Sequence, residues 1–434
     1  MTRLVIKLGS SSIASRGGLA LDVIAGLVSQ IAAAQRAGHE IILVTSGSAR
    51  LGSQLLAFEG PTAGAGQAFQ GLVSDVRAAV ARADHERLAE TLRRYEVPRD
   101  RAEPVAAALP SAVGQPALMA LYRQLAAAVG IEVCQILISR SDLESARAMG
   151  DLGLLLRQAA GRGLLPIVNG NDATDPLSAL DNDQVAVAVA VAAEASRLLF
   201  LTDVRAAYRD LDLSDRIHRL TPAQARSVRV TAGGSGRGGM GSKLTAAARA
   251  ACCGVECIIG SAREPDVVSR SINPRARIGT VVRGSGTQLE PAKRWIGGIA
   301  YSAGSVHVNR EAEDSLRTGS TLFLSGVKRV DGDFPAGAVV ELLDVRHPER
   351  LLGRGSVALP SAILRLLRAL SPQEVACTLS ILLRLRYGAD EPAAGSLLDI
   401  DVYKDCQELS AGTSRASQEA FAQLTSLSAE RVTD

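Results

Sequence analysis

The sequence predicts an α/β fold, a mostly parallel sheet sandwiched by helices, followed by a smaller β-rich C-terminal domain. Three observations predict it. Short apolar strands alternate with segments whose apolar residues recur at helical spacing, the pattern of βαβ units with helices on both faces of a sheet. The 434-residue chain is 47% hydrophobic but only 3% aromatic, and small apolar side chains let helices approach a sheet closely. Near Ile278 the character changes to short strands between Gly and Asp turns.

Residues 4–8 form an apolar strand that runs into Gly9-Ser10-Ser11. Residues 21–37 carry helical periodicity and stop at Gly38, a helix C-terminal signal. Residues 40–44 are a second strand, followed by Thr45-Ser46-Gly47-Ser48. Polar loops after strand C-termini are where open α/β sheets bind ligands. A helical insert rich in Ala, Arg and Glu follows at about 75–108. The alternation then resumes. Residues 133–138, 164–168, 197–201 and 255–259 read as strands, and 151–161, 184–195 and 243–253 as helices. The first domain is expected over 1–280. A β-rich second domain is expected over 285–408, with strands at 293–296, 306–308, 321–324 and 338–342, and a Ser- and Ala-rich tail over 409–434.

Bulk properties exclude several classes. The net charge is +3, and with few aromatics there is no electrostatic or stacking case for nucleic acid. The longest apolar run, 185–195, is broken by Glu194 and falls short of the ~20 residues of a membrane span. The N-terminal apolar stretch is too short for a signal peptide, so a cytoplasmic protein is expected. Cys134, Cys252, Cys253, Cys257, Cys377 and Cys406 lack paired metal-ligand spacing and read as apolar thiols. No metal site is expected.

Four loop clusters carry chemistry. Lys7, inside an otherwise apolar strand and beside Gly9, is costly to bury unless it meets an anion; an edge-strand lysine is the plainer alternative. Ser46 sits in a small hydroxyl turn at a strand end, a common turn type. Asn169-Gly170-Asn171-Asp172 and Asp181-Asn182-Asp183 place amides and carboxylates after a buried strand, groups that grip an amino acid or orient a lysine, or else build Asx turns. The run from Gly233 to Lys243 holds Arg237, Gly238, Gly239, Met240, Gly241 and Ser242 ahead of Lys243. It is either a linker or a lid over phosphates. It is not a P-loop, because Ser precedes Lys. Two lysines, several aspartates and Gly-rich loops point to phosphoryl transfer by positioning and charge neutralisation.

These residues resemble the glutamate 5-kinase family, part of the amino-acid kinase superfamily, over about residues 3–408. The resemblance rests on Val5-Ile6-Lys7-Leu8-Gly9, Val44-Thr45-Ser46-Gly47, Ala112-Val113-Gly114-Gln115, Pro166 to Ala173, Asp181-Asn182-Asp183, Leu201-Thr202-Asp203 and Gly238 to Lys243, in that order. Lys293 to Ile296, Asp331 to Phe334 and Asp399 to Asp405 look like a C-terminal PUA domain. The resemblance implies that Lys7, Asp183 and Lys243 are catalytic, and that Ser46, Asp172 and Asn182 bind glutamate. It also implies that Lys7, Gly9, Thr202, Asp203 and Arg237 to Lys243 bind ATP, with Mg²⁺ bridging the phosphates. It further implies a homo-oligomer and a glutamyl-phosphate reductase partner that takes the unstable product.

Departures from the family pattern, at Ser48, Arg50 and the short 173–180 loop, motivate an alternative: a paralogous kinase acting on another carboxylate. A non-catalytic RNA-binding regulator is a third reading, disfavoured by the charge and the aromatic content.

Overall fold

The computed structural model describes residues 1–9, 12–15, 18–57, 108–174, 181–210, 213–228, 230, 239–276, 278–285, 289, 291–318, 322, 326–357, 359–369 and 403–404. The chain divides into two compact units, Met1–Leu289 and Glu290–Asp434.

The first unit is a helix-covered, mostly parallel sheet. Its strands are β1 (Arg3–Leu8), β4 (Glu40–Val44), β5 (Val133–Ile138), β6 (Leu165–Gly170), β7 (Arg197–Thr202), β8 (Arg219–Leu220), β9 (Glu256–Ser261) and β10 (Thr280–Val282). A small antiparallel pair, β2 (Ala14–Ser15) and β3 (Gly18–Leu19), follows β1 in the chain. The sheet order is β5-β6-β4-β1-β7-β9-β10-β8. The pairs from β5 to β9 are all parallel, and β10 runs antiparallel to β9. The Thr280–Val282 stretch therefore belongs to the first sheet, between β9 and the edge strand β8.

The helices are α1 (Leu21–Arg36), α2 (Ser48–Ala57), α3 (Ala108–Ala128), α4 (Arg140–Glu144), α5 (Ala146–Gly161), α6 (Asn182–Ala192), α7 (Pro222–Ser227), α8 (Met240–Cys252) and α9 (Val267–Ile272). The α5 and α8 helices begin earlier than the periodicity predicts, at Ala146 and Met240. For α5 the reason is local: Ser145 accepts the Ala148 amide and caps the first turn.

Period-two alternation sets the layers. Leu4, Ile6 and Leu8 of β1 pack with residues of α1, α3 and α9 in one core. The alternate residues, Val5 and Lys7, face the opposite side, where α6 packs on β1 and α8 packs on α6. The α2 and α3 helices cross at glycines. A Cβ on Gly52 would stand 1.7 Å from the Pro110 carbonyl oxygen, and one on Gly114 would stand 1.8 Å from that of Ser48. Only glycine permits this crossing, which holds α3 against the loop after β4. Sequence patterning does not reveal α3, whose 21 residues include Pro116.

The second unit holds a five-stranded sheet ordered β12-β11-β13-β14-β15. Its strands are β11 (Ser305–Val308), β12 (Val327–Asp331), β13 (Val339–Asp344), β14 (Leu351–Ser356) and β15 (Tyr403–Lys404). Two helices, α11 (Arg310–Thr318) and α12 (Ser361–Ala369), supply Leu316 and Leu364 to a core with Val306, Val308, Phe334, Val340 and Leu342.

The strand expected at 293–296 is a correction. Pro291–Arg294 is a short helix, α10, that continues into a π-helical turn at Trp295–Ile299. Pro291 at the first helical position starts that helix. The buried Arg354 guanidinium holds the turn by donating to the carbonyls of Ile296 (2.8 Å) and Ala300 (2.7 Å). Of the strand expected at 321–324 only Leu322 is described, a residue outside any strand and buried in the second core. The helical insert expected at 75–108 is described only at Ala108, the first residue of α3, and the tail at 409–434 lies outside the described residues.

Candidate active site

Lys7, the fifth residue of β1, is the exception in a buried apolar run, and the fold explains it. β1 is central in the sheet, not an edge, and Lys7 points toward the N-termini of α6 and α8. There its Nζ lies 2.6 Å from Asp183 Oδ1, while Lys243 Nζ lies 3.2 Å from Asp183 Oδ2. All three side chains are buried, with Asp183 only 1% exposed. Three segments far apart in sequence thus meet at one carboxylate.

Local structure places each member. Asp183 sits in the first turn of α6, where the Asp181 carboxylate caps the helix by accepting the Asp183 amide at 2.9 Å. Lys243 sits in the first turn of α8, whose cap residue is Gly239. Ser242 Oγ and the Lys243 amide both donate to the Gly239 carbonyl. Burial pushes the Lys7 ammonium below the ordinary lysine range; Asp183 pulls it back up, and the neighbouring Lys243 lowers it further. Two buried lysines converge on one buried carboxylate, and the Asp181 charge also acts on Lys7. Buried ionisable groups gathered where strand and helix ends meet mark a candidate functional centre.

The loops after the strand C-termini surround this centre. Gly9 follows β1 and is buried; its carbonyl accepts from the Ser12 and Ile13 amides. Ser46 follows β4 and donates to the Leu8 carbonyl at 3.3 Å. The turn after it needs Gly47, at φ +106°, where a Cβ would meet Ile13 Cδ1 at 2.7 Å. Asp172 and Asn182 converge on the end of β6. A Cβ on Gly170 would lie 3.0 Å from Asp172 Oδ1 and 3.9 Å from Asn182 Oδ1. Asn182 Oδ1 is buried and accepts no hydrogen bond in the protein. Thr202 ends β7 with its hydroxyl turned onto Val204, donating to the carbonyl at 2.8 Å and accepting the amide at 3.0 Å. Asp203, next to it, is exposed.

The structure thus brings Lys7, Asp183 and Lys243 into direct contact and sets Asp172 beside Asn182. Ser46, Gly9, Thr202 and Gly239 to Ser242 lie on strand-end loops or helix starts in the same unit. Arg237 and Gly238 lie outside the described residues. Asn169, which the sequence offers as a candidate ligand for an amino acid, is instead turned into the protein. Its Nδ2 donates to Gln115 Oε1 (2.8 Å) and Ser48 Oγ (3.3 Å). Sequence reasoning did not single out Tyr122, whose buried hydroxyl meets Thr45 Oγ1 at 2.7 Å and is pushed up to about 12 by burial. Among the described residues no group of three or more His, Cys, Asp or Glu could hold a metal ion, and no helix is long and apolar enough to cross a membrane.

The fold is that of an amino acid kinase: residues 2–261 match the amino acid kinase family, and residues 304–374 match the PUA domain. The chain is 30% identical to the glutamate 5-kinase of Proteus mirabilis (strain HI4320) over 398 residues, covering 89% of this chain and 95% of that protein. It is 34% identical to the glutamate 5-kinase of Gloeobacter violaceus (strain ATCC 29082 / PCC 7421) over 394 residues, covering 88% and 95%. The glutamate 5-kinase of Prochlorococcus marinus (strain MIT 9313) is 35% identical over 269 residues, covering 59% and 73%. The chain belongs to the amino acid kinase family and, within it, to the glutamate 5-kinases.

Proposed function

We propose that the chain transfers the γ-phosphoryl group of ATP to the side-chain carboxylate of glutamate, giving γ-glutamyl phosphate and ADP, the first step of proline biosynthesis. The observation that carries this reading is the convergence of Lys7 and Lys243 on the buried Asp183 carboxylate. Phosphoryl transfer asks the protein mainly to position two reactants and to neutralise charge on the transferring group. Lys7 and Lys243 provide that charge at fixed places, and Asp183 holds both ammonium groups in register. The glutamate carboxylate is ionised at neutral pH and attacks without a general base. The attacking oxygen bonds phosphorus as the bond to the ADP oxygen breaks.

Ser46, Asp172 and Asn182 bind glutamate in this reading. Asp172 Oδ1 and the unpartnered Asn182 Oδ1 lie close together, and two oxygen acceptors suit the substrate ammonium group. Gly9, Thr202, Asp203 and Arg237 to Lys243 serve the nucleotide. The N-terminus of α8 adds its positive dipole end to Lys243. Because the described residues offer no cage of carboxylates, Mg²⁺ arrives as the counter-ion of ATP.

The kinase domain spans about 1–280, with the sheet's last strand reaching Val282, and a PUA-like domain spans 285–408. The protein acts in the cytoplasm as a homo-oligomer, and a glutamyl-phosphate reductase consumes its product.

The test is hydroxylamine trapping of acyl phosphate with ATP and a panel of amino acids. Glutamate is expected to give hydroxamate in preference to every other acid. Turnover of another acid with none from glutamate would sink the reading in favour of a paralogous kinase.

A further inference from the structure

The α3 helix sends a polar side chain to the C-terminal end of β6, and the mechanism above does not use it. Gln115 is buried, at 8% exposure, and lies against Asn169 near the end of β6. Asn169 is fixed on all sides. Its Oδ1 accepts the Gly170 amide at 2.9 Å, so its Nδ2 must face the other way, where it donates to Gln115 Oε1 at 2.8 Å and Ser48 Oγ at 3.3 Å. Both hydrogens of that NH₂ are engaged. This in turn fixes Gln115: its oxygen faces Asn169, and its Nε2 is left buried with no partner in the protein.

That arrangement is expensive for packing alone. An unpaired buried donor costs about 1–3 kcal/mol, and an apolar side chain of the same length would fill the space without it. The relay has a destination. It ends on the backbone of Gly170, the point where the Asp172 and Asn182 oxygens converge, 3.0 and 3.9 Å from an ideal Cβ.

We propose that Gln115 is a positioning residue for the amino-acid substrate, fixing Asn169 and through it the Gly170 backbone against which the Asp172 and Asn182 acceptors are set. It touches neither substrate nor phosphate. It acts through a chain of hydrogen bonds that crosses from α3 to β6. The inference deepens the assignment of Asp172 and Asn182 to the amino-acid substrate and rests on it.

Steady-state kinetics of the full chain test the proposal. Gln115→Met keeps the length and removes the acceptor, so KM for glutamate rises about tenfold while kcat and KM for ATP stay within about twofold. Gln115→Glu keeps an oxygen for Asn169 and brings the glutamate KM back to within about threefold of the parent value. An unchanged glutamate KM in Gln115→Met would overturn the proposal. So would a parallel loss of both KM values, kcat and melting temperature that Gln115→Glu does not rescue. If Gln115→Met does not fold, Ser48→Ala decides: it drops the longer of the two Asn169 contacts, and the glutamate KM must rise a few-fold or the relay is wrong. Should the parent protein phosphorylate a different amino acid, the glutamate assignment fails, and the same KM comparison on that acceptor still decides the role of Gln115.

Discussion

Each unit of the chain buries one aspartate between two cations, and the two arrangements differ in what surrounds the charge. In the first unit Asp183 meets Lys7 and Lys243, and all three side chains are at most 8% exposed. In the second unit Asp344 is equally buried, at 2%, but its partners Arg346 and Arg350 are 50% and 43% exposed. Glu313 adds a second carboxylate on Arg350 at 2.7 Å. The second network balances its charge and lets water solvate its cations. The first shuts two ammonium groups and the carboxylate they share away from water. A structural ion pair has little reason to do that, since the desolvation of its cations is costly to recover. The contrast separates a brace from a site.

The largest effect should come from removing one lysine. Lys7→Met leaves Asp183 paired with Lys243, a neutral couple, while taking away charge from the transferring phosphoryl group. Turnover is expected to fall by about 10³-fold or more, with the melting temperature held or raised. A variant that keeps near-normal turnover would break the comparison by making the Lys7 pair a brace after all. Lys243→Ala should likewise abolish turnover and leave the fold intact, as circular dichroism would show. Asp183→Asn is the converse experiment. It takes from two buried ammonium groups the carboxylate they share, and is expected to cost about 3–5 kcal/mol of stability as well as activity. Denaturant unfolding followed by circular dichroism measures it. An Asp183→Asn protein as stable as its parent would show that water reaches the lysines.

How much of this was legible in the sequence follows from the range of each interaction. Lys7 stood out because a lysine in an apolar strand is a local contradiction. The layers of the first unit follow from local periods, so they too were readable. Asp183 and Lys243 could be placed in polar or Gly-rich loops, but that they meet one another was available only through family resemblance, since their contact spans 60 residues. Gln115 and Tyr122 could not be read as site elements. They lie on a helix whose apolar residues run all round, and their contacts to Asn169 and Thr45 span 54 and 77 residues. The turn at Trp295 failed for another reason. An aromatic beside a β-branched residue looks like a strand, and the helix start at Pro291 together with the bonds from Arg354, far along the chain, outweighs that preference.

The smallest effect belongs to the second network, and its pH dependence sharpens the contrast. The Arg346 guanidinium, helped by the Arg346 backbone amide, holds the Asp344 carboxyl at about 2, against an ordinary 3.8. A carboxyl whose pKa is lower in the folded state binds protons more weakly there than in the unfolded chain. The stability it contributes is therefore full above the unfolded value and drains away as pH falls from about 4 toward 2. Asp344→Asn should unfold at lower denaturant than its parent at neutral pH, by less than Asp183→Asn, because half-exposed arginines are screened by water. The difference should shrink between about pH 4 and pH 2. Trp295, the single tryptophan of the chain, lies in the second unit and reports that unit alone by fluorescence. A gap between the two proteins that stays constant down to pH 2 would mean that Asp344 acts through shape, not charge. Turnover should be untouched at neutral pH, since every candidate site residue lies in the first unit. A kinetic defect in Asp344→Asn would carry the charge argument across to the second unit and remove the distinction between brace and site.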